Sequence, residues 1–155
     1  MNMHSPAPQQ SPVVLKTCTL LISHFRNLRE HGGGGFHTRL FSHMLHPEHQ
    51  YVFAGRSITV DQTTPTHPEH VVPCAVLISE CQRMIGEDAP DAQIAALLAK
   101  HWKVATITKA EQQRLDFELG LKSKMPPGWR FEDGDTLARF HAANIYLARQ
   151  PSPVV

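Results

Sequence analysis

The chain has 155 residues, 41% of them apolar, and 15 Lys/Arg against 14 Asp/Glu give a net charge of +1. That length suits one domain with a modest core, and no apolar run approaches the ~18 residues that span a bilayer. The three cysteines, Cys18, Cys74 and Cys81, form no CxxC pair, which points to reduced thiols, and the polar, Pro-rich start lacks a secretory pattern, so a cytoplasmic protein is expected.

Residues 1–12 read as a disordered arm and 150–155 as a flexible tail, with a single globular domain over 13–149. Leu15, Cys18, Leu21, Ile22, Phe25 and Leu28 recur at helical spacing, which predicts an amphipathic helix over 13–30 that stops at the glycine run 32–35. Residues 36–45 read as a second short helix, with Leu40, Phe41, Met44 and Leu45 inward. Residues 51–54 and 57–60 read as short strands around Gly55, and 61–68 as a loop. Val71 and Val72 read as a strand end stopped by Pro73. Residues 74–85 and 91–100 read as helices, the latter with Ile94, Leu97 and Leu98 inward. Residues 103–107 alternate and are β-branched, as a strand requires. Thr108 followed by Glu111 is a capping box, and it opens a helix to about residue 119. Residues 125–129 form a turn, and a final helix runs from Asp133 or Asp135 to about residue 148.

The charge is unevenly placed. Residues 57–99 carry one basic residue against six acidic, whereas 13–56 and 100–150 are net basic. An acidic centre between basic flanks suits a metal site within a phosphate-binding surface, although scattered surface charge reads equally well. There are 11 histidines, most of them read as surface or satisfied core residues. His46-Pro47-Glu48-His49 and His67-Pro68-Glu69-His70 are near-identical tetrapeptides in unlike surroundings, and they read as coincidence rather than a repeat.

Glu69-His70-Val71-Val72-Pro73 is the stretch with the most chemistry. A carboxylate directly precedes a histidine that enters a β-branched run; a hard cation takes carboxylate oxygen, and imidazole takes a proton from water. These five residues resemble the first motif of the HNH, or His-Me finger, nucleases, and residues 102–111 resemble that family's second strand and helix entry. The resemblance covers about residues 57–119. It implies a small, mainly helical α+β domain around a ββα-metal unit that hydrolyses phosphodiester bonds in DNA. His70 would be the general base and Glu69 a ligand of one divalent ion, Mg²⁺ first and Mn²⁺ or Zn²⁺ as alternatives. The helix after Thr108 carries no Asn or His, so Glu111 is the choice for the third group. His67, Lys103, Lys109 and Arg114 are candidates to contact nucleic acid, with Lys122, Lys124 and Arg130 in the same basic set.

Two other classes stay open. One is a non-catalytic phage or mobile-element protein that grips a protein or nucleic acid. The other is a zinc-stabilised module built from the His and Cys excess, with Cys74 and Cys81 beside His70 or His67 as one ligand set; the thiols read otherwise as small buried hydrophobes.

Overall fold

A computed structural model describes residues 11–33 and 35–148. The arm and tail expected at the ends lie outside the described residues, except that Ser11 and Pro12 open the first helix. Helix α1 (Pro12–Glu30) starts with Pro at its first position, where the missing N–H costs no helical bond. It buries Val14, Cys18, Leu21, Ile22 and Phe25 on one stripe. It closes in a Schellman arrangement: Gly32 adopts φ +79°, and the Gly33 amide donates to the Leu28 carbonyl at 2.7 Å.

The region that follows differs from the periodicity reading. Helix α2 is short (Leu40–Met44), and Met44 faces solvent at 42% exposure. A second turn, α3 (His49–Val52), occupies the start of the first expected strand. Strand β1 is Phe53–Arg56, with Gly55 at φ +130° inside it rather than at a hairpin tip. Residues 57–60 form no strand of their own; Ser57 makes an isolated bridge to Leu147 near the end of the described chain. Strand β2 is Thr66–His70, so Glu69 and His70 lie inside the strand while Val71 and Val72 follow it, fully buried.

Helices α4 (Cys74–Gly86) and α5 (Asp91–His101) come between β2 and strand β3 (Val104–Thr108). The sheet order is β1-β3-β2, with β3 parallel to β1 and antiparallel to β2. The fold class is therefore α+β, as expected. Side chains alternate across β3. Val104 joins a large core made by α1, α4 and α5 with Phe41, Trp102 and Phe131. Ala105 and Ile107 join a smaller core with Val71, Leu115, Phe140, Ala143 and Ile145. The capping box forms: Thr108 accepts from the Glu111 amide and Glu111 accepts from the Thr108 amide. Helix α6 is only Lys109–Gln113; it widens into a π-helical turn over Arg114–Glu118, and Leu119 is exposed. The last expected helix shrinks to α7 (Ala138–Ala142). Around it the chain must bend to bury Phe140, Ala143 and Ile145 in the smaller core, so it does not stay helical.

Candidate active site

The hairpin register decides what the Glu-His pair can do. Glu69 lies opposite Ala105 and His70 opposite Val104, so the two side chains leave the strand on opposite faces. Glu69 turns to the side of the smaller core. There its Oε1 accepts from Arg139 at 2.7 Å and its Oε2 lies 3.2 Å from His67 Nε2. Arg139 is fully buried. It also donates to the carbonyls of Leu121 (2.7 Å) and His70 (2.9 Å), and it thereby ties the end of β2 to the loop after the π-helical turn.

His70 turns to the side of the larger core. Its Nε2 is 2.7 Å from Glu48 Oε2, the same oxygen that accepts from Trp102 Nε1 at 2.7 Å. The Cys74 side chain is among the groups that act on the His70 ring, and the two residues line one cleft. Burial works against charge on His70, but the hydrogen bonds and charges of Cys74 and Glu48 outweigh it and push the imidazole up to about 10. Burial likewise opposes charge on Glu48, yet the bonds from His70 and Trp102 hold it below the ordinary carboxylate range. An ionised Glu48 and a protonated His70 are the result at neutral pH.

Cys74 is the first residue of α4 and follows the N-cap Pro73. The Pro73 carbonyl accepts from Val76 and Leu77, so the amides of Cys74 and Ala75 precede the first helical bond and point out of the helix start. Thiolates act as nucleophiles in such settings, at a helix N-terminus beside an imidazolium. Cys74 is 8% exposed, and it lines a cleft of about 320 Å³ together with His70, Glu69 and Ala75. The other two thiols are unlike it. Cys18 and Cys81 are fully buried; burial pushes Cys18 up to about 12 and Cys81 higher still.

The metal centre implied by the HNH resemblance is not assembled. Both oxygens of Glu69 are committed to Arg139 and His67. Glu111 is 3% exposed and caps its own helix; its Oε1 accepts from the Thr108 amide and its Oε2 from Ser57. Thr108 pairs with Thr66 and His70 with Val104, which puts the helix entry and His70 at opposite ends of the β2–β3 ladder, about 13 Å of strand apart. Among the described residues no group of three His, Cys, Asp or Glu is placed to hold a metal ion. This applies also to the zinc alternatives, since Cys81 lies in the core beside Cys18. The residues proposed to contact nucleic acid lie in unlike settings. Lys103 is half-buried near Cys18, Lys109 is exposed on α6, and Arg114 buries an unpaired Nε. Trp102 and Trp129 pack on Phe41 and His101.

Cys74, Glu48 and Arg139 were not singled out as a unit from sequence. One signal was present: a cysteine four residues after a histidine, directly behind a proline that can start a helix. The other was the paired tetrapeptides, whose acidic residues turn out to serve this one region, Glu48 by bonding His70 and Glu69 by bonding Arg139. No family model, curated protein or solved structure shows significant similarity to the chain.

Proposed function

We propose that this domain is a thiol-dependent acyl hydrolase, with Cys74 as nucleophile, His70 as acid–base and Glu48 as the group that orients His70. The observation that carries this reading is that Cys74, at the start of α4, shares a cleft with His70, whose Nε2 meets Glu48 at 2.7 Å. It has the nucleophile–base–orienter logic of catalytic triads, which is recognised by geometry rather than sequence order. The Cys74 thiolate attacks the carbonyl carbon of an amide, ester or thioester and forms an S–C bond. The oxyanion forms against the amides at the α4 start, which are the available donors. The His70 imidazolium protonates the leaving amine, alcohol or thiol as its bond to the carbonyl carbon breaks. His70, now neutral, takes a proton from water; the hydroxide attacks the S-acyl carbon, the S–C bond breaks, and the acid is released with thiolate restored. Glu48 holds the ring and stabilises its charged form, and the buried Trp102 Nε1 fixes Glu48.

Burst kinetics with p-nitrophenyl acetate test this. A burst of nitrophenolate stoichiometric with the chain, with acetyl on Cys74 by mass spectrometry, is expected. Cys74→Ala removes it, and His70→Ala slows it by about 10²–10⁴-fold. A chain that shows no acetyl-Cys74 is no thiol hydrolase, and a binding role for the cleft is then the better reading.

The endonuclease reading rests on the resemblance over about residues 57–119, chiefly residues 69–73 with residues 102–111. Plasmid incubated with Mg²⁺ or Mn²⁺ tests it: nicking that survives Cys74→Ala and disappears in His70→Ala would replace the thiol mechanism.

A further inference from the structure

The cleft that holds Cys74 has a definite charge. Its lining includes Arg39 and Lys122, with hydroxyls from Thr38, Ser42 and Ser123. Arg39 is the N-cap residue of α2, whereas Lys122 belongs to the loop after the π-helical turn, so positive charge reaches the cleft from two separate segments. Glu69 is the only carboxylate on the lining, and it is already bonded to Arg139 and His67. Several guanidiniums elsewhere are paired with carboxylates. Arg26 meets Asp91, Arg83 meets Glu80, Glu87 and Glu132, and Arg130 meets Glu132 and Asp133. Among the described residues neither Arg39 nor Lys122 makes an ion pair, and both are exposed. The apolar side chains on the lining are small, Pro73 and Ala75, and the cations stand beside them.

We infer that the acyl group taken up by Cys74 carries a carboxylate, held by Arg39 and Lys122. A planar guanidinium receives a carboxylate through two parallel N–H bonds, and the ammonium adds a second positive charge without fixing direction. The substrate class is thus the amide, ester or thioester of a dicarboxylic acid, such as an acidic amino-acid side chain, with one carboxyl free. This rests on the thiol-hydrolase reading of Cys74.

Two alkylating probes of nearly equal size, iodoacetate and iodoacetamide, separate the two claims. Each transfers its CH₂ carbon to the thiolate and releases iodide, but only iodoacetate carries a carboxylate. In the intact chain Cys74 should favour iodoacetate over iodoacetamide far more than free cysteine does. That ratio should fall about threefold in Arg39→Gln and in Lys122→Gln, and about tenfold in the double variant, the size expected of single charges acting on an anion through water. His70 is present in all of these chains, so its own pull on the anion cancels. A ratio that the double variant leaves unchanged overturns the carboxylate proposal while Cys74 remains reactive. Reaction of Cys74 with iodoacetamide no faster than free cysteine defeats the thiol reading itself, and the carboxylate claim with it.

Discussion

Glu48→Gln is the sharpest perturbation of the site. Glutamine keeps the volume and an oxygen for Trp102 Nε1, but it removes the negative charge 2.7 Å from His70 Nε2. The rise of His70 from 6.5 to about 10 corresponds to about 5 kcal/mol of preference for the imidazolium. Cys74 and Glu48 share it, and His70 is 30% exposed, so screening brings the part due to Glu48 to about 2 kcal/mol. The sign follows from linkage: a histidine raised on folding stabilises the native state fully below its unfolded value near 6.5, and that stability is lost as pH rises towards 10. Glu48, lowered on folding, contributes above its unfolded value and loses its share as pH falls through the native one. The deficit of Glu48→Gln should therefore be largest, about 2 kcal/mol, near pH 6, and should shrink towards pH 10. Urea unfolding of both chains at the two pH values measures it. An equal deficit at both, or none at pH 6, would refute the ion pair.

Three further outcomes follow from the same structure. Arg139→Met strands the Glu69 carboxylate and the carbonyls of Leu121 and His70, and should cost about 3–5 kcal/mol, or about 10 °C in Tm; a loss below about 1 kcal/mol in thermal unfolding would show that the guanidinium is not the clamp described. A thiol reagent should modify one cysteine in the folded chain and all three in denaturant, because Cys18 and Cys81 are fully buried; fast labelling of either in the native state contradicts the packing. Thr108→Ala removes the α6 cap and should cost about 1 kcal/mol in urea unfolding without changing the rate of Cys74 alkylation. A parallel fall in that rate would tie α6 to the site after all.

Local pattern determined those parts of the chain where one rule suffices. The apolar stripe of α1, the Gly32 stop, the β-branched alternation of β3 and the Thr108–Glu111 box are each set by residues within a turn or two of one another, and each is found where expected, save that Leu15 is 38% exposed and Val14 is buried on the stripe instead. Helices α4 and α5 were legible for the same reason. The stretch from 36 to 60 was not, because Tyr51 and Val52 have strand propensity but are drawn into the α3 turn, which lets Val52 bury, and β1 begins only at Phe53.

The site was decided by register. Adjacent residues on a strand diverge, so the Glu69-His70 pair visible in the sequence was divided between two cores. Glu69 went to Arg139, 70 positions away, and His70 to Glu48, 22 positions away. Sequence alone supplied the histidine and the helix that starts at Cys74. Only the tertiary structure could choose the partners, because whether a carboxylate meets a guanidinium, an imidazole or its own helix cap depends on which face of which strand it leaves.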